Sequence, residues 1–107
     1  MGNLEKKLLS IRYLKMVAVD YQLYEFAAGL RDKEISIWKD LGNENKPKYE
    51  NAIFRKISDT TDKGVIKEIY INFNKYFTDY TNQYVPDGVK SKLKVLRRDI
   101  TISYLTN

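Results

Sequence analysis

The sequence predicts an all-α domain, a small helical bundle of about five helices. Two observations carry this expectation. Apolar side chains recur at steps of three and four along most of the chain, the period of one face of an α-helix. Polar and turn-forming residues gather into short clusters between those runs, and short loops between amphipathic helices favour antiparallel neighbours. The composition, 43% hydrophobic and 31% charged, is that of a globular chain. At 107 residues it is one domain in size and too short for two independent cores, so residues 1–107 are read as a single helical domain.

Over residues 4–19 the apolar positions Leu4, Leu8, Ile11, Leu14 and Val17–Ala18 keep helical spacing. Asp20-Tyr21-Gln22 reads as a short break, with Asp20 placed to cap the next helix. From Leu23 to Leu41, Ala27, Leu30, Ile37 and Leu41 share one side and are joined by Phe26, Ile35 and Trp38; Gly42 then ends the helix. A third helix is expected from Pro47 to about Ile57, with Pro47 in its first turn. After the polar cluster 58–62, a longer helix runs to about Tyr84. Its seam of Ile66, Ile69, Phe73, Tyr76, Tyr80 and Tyr84 has Tyr70 and Phe77 beside it. That aromatic seam is read as core, with a ligand groove as the competing reading. Val85-Pro86-Asp87-Gly88 reads as a turn. Val89, Leu93, Leu96, Ile100 and Tyr104 then predict a last helix, against a short strand over 100–104, where β-branched residues alternate.

The chain has no Cys and no His. Disulfides, thiol nucleophiles and thiolate metal sites are thereby excluded, and the commonest general base and metal ligand is missing. Asp59 and Asp62 are the best-spaced carboxylate pair, but they stand in a capping-rich cluster, and Asp79 reads as a surface residue. The sequence carries no phosphate loop, nucleophile elbow or calcium loop. We therefore expect a non-enzymatic protein with no cofactor, no metal and no catalytic residue. Tyr, present nine times, suits half-buried positions and protein interfaces. Charges interrupt the first ten residues, and no run of about 18 apolar residues occurs beyond them. Position 6 is Lys6, where a myristoylation signal would have Ser or Thr. The expected setting is cytoplasmic, without membrane insertion.

One stretch is more specific. Tyr24-Glu25-Phe26-Ala27-Ala28-Gly29-Leu30-Arg31-Asp32 resembles the UVR motif, with Tyr24, Glu25, Ala27, Ala28, Leu30, Arg31 and Asp32 matching in register. That motif is a helical hairpin found in the B and C subunits of bacterial nucleotide-excision repair and in Clp-type ATPases and their adaptors. The resemblance covers residues 14–41, with Leu14, Met16 and Val19 as the apolar residues of its first helix. It implies an N-terminal antiparallel helical hairpin that packs on a second hairpin, from a partner or a second copy. It also implies that Tyr24, Phe26, Ala27, Ala28, Leu30, Arg31 and Asp32 make the contacts. Ala27-Ala28 are expected to leave a shallow patch where the first helix approaches closely, and Tyr24 and Phe26 to act as anchors. Leu23, Phe26 and Gly29 depart from the family pattern; Gly29 costs about 1 kcal/mol relative to Ala in a helix.

Net charge is +5, of which residues 43–107 contribute +4. The densest basic run is 90–98, where Lys90, Lys94, Arg97 and Arg98 fall opposite Leu93, Leu96 and Ile100. Such a stripe suits phosphate contacts, although no recognised nucleic-acid motif accompanies it. The apolar residues of this segment are assigned to the core, which leaves little for a membrane surface. The leading functional expectation is a protein-interaction module or adaptor that docks to a Clp-type ATPase or repair complex, or self-associates as a homodimer. Two other readings are a small basic immunity or phage-inhibitor protein and a nucleic-acid-binding protein using residues 90–98.

Overall fold

The computed structural model describes residues 3–42, 63–83 and 85–106. Among them are four helices and no strand: α1 (Asn3–Asp20), α2 (Tyr24–Leu41), α3 (Lys63–Thr81) and α4 (Asp87–Thr106). The all-α class is as expected. The helix predicted over Pro47–Ile57, the Asp59 and Asp62 pair, and Tyr84 lie outside the described residues.

α1 is the innermost element. Leu8, Ile11, Leu14 and Ala18 are buried at the predicted spacing, but Leu9, Ser10 and Tyr13 are buried as well. Together these positions extend around much of the helix, so α1 is covered from more than one side. Leu4, expected to face inward, is among the exposed apolar residues. α1 packs against α2 and α3. Just beyond its C-terminus Tyr21 reaches α4, where its hydroxyl donates to Asp99 Oδ2 at 3.2 Å.

The turn after α1 is a Schellman motif. Gln22 takes a left-handed conformation with φ 61°. Gln22 N donates to Val19 O at 2.9 Å and Leu23 N to Ala18 O at 2.8 Å, satisfying carbonyls that the helix end leaves open. Leu23 and Ala18, both buried, supply the hydrophobic contact that accompanies this motif. Asp20 therefore does not cap α2, as the sequence suggested. It is the last residue of α1, and Leu23 precedes α2 with no side-chain cap. At the far end of α2 the expected stop is present, with Gly42 at φ 86°.

Polar groups inside the bundle are all partnered among the described residues. Asn72 Nδ2 on α3 donates to Ser10 Oγ on α1 at 2.9 Å, and Ser10 Oγ donates to Lys7 O at 2.7 Å. Glu34, buried on α2, accepts from Lys15 Nζ of α1 and from Trp38 Nε1 at 3.3 Å, and pairs with Arg12 Nε at 3.7 Å.

α3 buries Val65, Ile66, Ile69, Phe73 and Tyr76 along one face, as the predicted seam requires. α4 begins earlier than the sequence suggested, since Asp87 and Gly88 are helical and Lys90 N donates to Pro86 O at 3.0 Å. The competing strand over 100–104 is not formed, and the helix continues to Thr106. Steps of four from Leu96 through Ile100 keep Tyr104 against α3, where its ring stacks on Tyr70 at 4.4 Å and 7°.

Gln22→Gly removes a Cβ from a left-handed position and should raise stability by about 0.5–1 kcal/mol in urea unfolding. Alkaline pH should unfold the protein. Burial, with Tyr21 and Asp99 nearby, pushes the Tyr13 hydroxyl up to about 12, and burial also raises Tyr21, Tyr76 and Tyr80. In the unfolded chain a tyrosine titrates near about 10, so this stability is complete below pH ~10 and is lost as pH rises toward ~12. Phenolate absorbance should appear late and together with the loss of helix signal, and Tyr13→Phe should make the alkaline loss shallower.

Candidate protein-binding site

Residues of the UVR-like stretch divide by the side of α2 on which they fall. Phe26, Ala27 and Leu30 are buried, whereas Tyr24, Ala28, Arg31 and Asp32 are exposed. Ala27, Leu30 and Glu34 lie at steps of three and four on one face, and Glu34 is the residue bound to Arg12 and Lys15 of α1. Ala27 is thus part of the α1-facing surface. Adjacent helix residues point about 100° apart, so Ala28 cannot share that role, and it faces outward. The expected two-alanine patch against the first helix is corrected to Ala27 alone.

Phe26 is likewise no free anchor. It is only 3% exposed, with its ring edge-on to Phe73 at 5.8 Å and to Tyr80 at 5.5 Å. Its departure from the family pattern is explained by α3, which covers it.

What remains outside forms a stripe. Tyr24, Ala28, Arg31 and Ile35 sit at steps of four, three and four along α2, with Asp32 beside them. Tyr24 is 63% exposed and Ile35 is 45% exposed. Ile35, expected to face inward with Trp38, belongs instead to this outer face. The signal is present in the sequence, because Ile35 falls one place after Glu34 on the helix and seven after Ala28. Glu34 is the residue that sequence reasoning missed. Its position four residues after Leu30 and four before Trp38 puts a carboxylate on the apolar face, which requires a cation opposite.

A concavity lies on the side of α2 that turns toward α3. A groove of about 210 Å³ runs between α2 and α3, floored by Phe26, Gly29 and Leu30 and walled by Tyr76 and Tyr80. Tyr80 OH donates to Glu25 Oε2 at 3.3 Å across one end. Lys33 Nζ lies 5.5 Å from the centre of the Tyr76 ring at the other. In the aromatic seam of α3 Phe73 and Tyr76 belong to the core, and Tyr76 and Tyr80 also line this groove. A Cβ at Gly29 would meet nothing within 4 Å.

The basic residues of α4 also separate. Lys90, Lys94, Arg97 and Arg98 are all exposed. Arg97 is engaged within the fold, 4.9 Å from the centre of the Phe77 ring, and its Nε donates to Asn74 Oδ1 at 3.0 Å. Among the described residues no group of His, Cys, Asp and Glu is placed to hold a metal ion, and no helix is long and apolar enough to cross a membrane.

No protein-family model matches the chain, no curated protein matches it in sequence, and no solved structure matches it in fold. The UVR resemblance accordingly rests on the motif residues themselves.

Gly29 offers a direct check. Gly29→Ala should raise stability by about 0.5–1 kcal/mol, since helix propensity improves and the added methyl has open space. Gly29→Leu should keep the helical circular dichroism while filling the groove, read as a changed environment for the Tyr76 and Tyr80 ring resonances.

Proposed function

We propose that the protein acts by binding another protein and not by catalysis. In this reading α1 and α2 form an antiparallel hairpin of the UVR kind, whose outer face docks on a helical partner. The outward stripe Tyr24–Ala28–Arg31–Ile35 carries the reading. It holds three exposed members of the UVR-like pattern on one side of a helix whose other side is already buried.

The chemistry of the stripe suits helix-on-helix contact. Ala28 is small and lets a partner backbone come close, while Tyr24 and Ile35 flank it with apolar area. Arg31 and Asp32 supply charges of both signs at the edge, which fix register and orientation more than affinity. The partner class that the resemblance implies is a Clp-type ATPase, a repair complex, or a second copy of this chain through the same face.

Neighbouring alanines give the test. Ala27→Glu places a carboxylate in the closed face of α2 and should abolish the cooperative thermal transition. Ala28→Glu and Arg31→Glu change only the outer face, so melting should move by less than the equivalent of about 0.5 kcal/mol. Both should nevertheless weaken self-association in sedimentation equilibrium, or capture by the ATPase or repair subunit, by about 2 kcal/mol. Well-folded outer-face variants with undiminished association would remove this face from the function.

A further inference from the structure

Several cations of α3 and α4 gather along one side. Lys63 and Lys67 stand one turn apart on α3, and Lys90, Lys94 and Arg98 recur at intervals of four on α4, all exposed. Most carboxylates of these helices have partners away from the lysines, although Asp99 Oδ1 also lies 3.9 Å from Arg98 Nε in an exposed pair. Glu68 accepts from Asn72 at 3.1 Å, on the side that meets Ser10 of α1. Asp79 lines the groove against α2, and Asp99 accepts from Tyr21. Asp87 stands in the first turn of α4, where a negative charge complements the helix dipole, and seven residues before Lys94 it shares the side of the lysines.

Apolar side chains accompany the cations. Val95, Arg98, Ile102 and Leu105 are spaced three, four and three apart on the outer side of α4, opposite the buried Leu93, Leu96 and Ile100. Val95 is 42% exposed, Ile102 52% and Leu105 75%. Leu93, Leu96 and Ile100 are inside as the sequence suggested, and Val95, Ile102 and Leu105 form a second, outer set. Beside Leu105 a groove of about 380 Å³ opens between α3 and α4, lined by Lys63, Ile66, Lys67, Tyr104 and Leu105. Two ammonium groups thus border an apolar floor, with no carboxylate among the lining residues.

We propose that this face rests on an anionic lipid bilayer surface, without any helix crossing it. The lysines and Arg98 meet the headgroups, and Val95, Ile102 and Leu105 enter the boundary with the acyl chains. Long basic side chains beside an apolar stripe suit this position, because their stems lie along apolar surface while their charges stay in water. Charge complementarity alone would equally suit nucleic acid, but the exposed aliphatics gain nothing from phosphates. The rings near the seam are also committed. Tyr70 and Tyr104 stack on each other and Phe77 lies under Arg97, so each ring has one face already occupied.

Vesicle flotation with the full chain tests the proposal, using phosphatidylcholine alone and with about one third phosphatidylserine. Partition should be at least about tenfold greater onto the anionic vesicles and should fall at about 0.5 M salt. Lys90→Glu combined with Lys94→Glu and Arg98→Glu should abolish it. Ile102→Ser with Leu105→Ser should reduce it severalfold. All five positions are exposed, so circular dichroism should be unchanged in both variants. Equal binding to the two vesicle types, absence of binding, or full binding by the aliphatic variant would overturn the proposal. Tighter capture by duplex DNA, undiminished in the aliphatic variant, would overturn it in favour of a nucleic-acid partner.

Discussion

The described helices are arranged around α1, which buries side chains on more than one of its sides. A helix with Leu8, Leu9, Ile11, Tyr13 and Leu14 all inside must be covered from more than one direction, and α2 and α3 both pack against it. Each of the other helices is tied to the α1 segment by a different polar contact. α2 brings Glu34 to Arg12 and Lys15, α3 brings Asn72 to Ser10, and α4 brings Asp99 to Tyr21 just past the helix end. Apolar burial supplies the driving force, but it is indifferent to small shifts in register. Directional contacts are not indifferent, and three of them at different places on one segment tie each neighbour to a particular height.

Glu34 is the costliest of these choices. Its side chain is 10% exposed and that of Arg12 is 11% exposed, so two charges are largely removed from water. Such a pair adds little net stability over an apolar replacement, whereas leaving one charge without its partner costs about 3–5 kcal/mol. Its effect is therefore selective. Any packing of α2 that turned Glu34 away from Arg12 and Lys15 would strand a carboxylate, and Trp38 Nε1 would lose its acceptor at the same time. That constraint fixes the rotation of α2, and with it the side on which Tyr24, Ala28, Arg31 and Ile35 emerge.

The legible part of the sequence was the part written in periodicity. Limits of α1 and α2 fell within one residue of the expected ones, and the seam of α3 was read with Ile66, Ile69, Phe73 and Tyr76 buried as expected. What periodicity could not give was rotation about a helix axis when apolar residues occupy more than one face. Ile35 was placed inside with Ile37 and Trp38, and Ala28 with Ala27 as part of the motif's patch, yet a difference of one residue turns a side chain by about 100°. Phe26 was read both with the apolar side of α2 and as an anchor of the motif's contact surface, and only α3 decides between them by covering it. The turn was misread for a related reason. Asp20 has the chemistry of a cap, but the backbone of Gln22 closes the helix without one.

The same rotation argument separates what holds the molecule together from what it can offer a partner. A side chain used in the core is not available at a surface, so Phe26, Ala27 and Leu30 can influence docking only by setting the orientation of α2. Tyr24 and Ile35 do the reverse, since their exposure leaves the core unaffected by what meets them. Gly29 stands between the two sets, on the side of α2 that turns toward α3. There it weakens the helix by about 1 kcal/mol relative to Ala, and it supplies no packing in return. Its consequence is an open floor between Tyr76 and Tyr80, next to a stripe whose centre is a second small residue, Ala28. Two positions without bulk on neighbouring sides of one helix leave room for another backbone or side chain to approach.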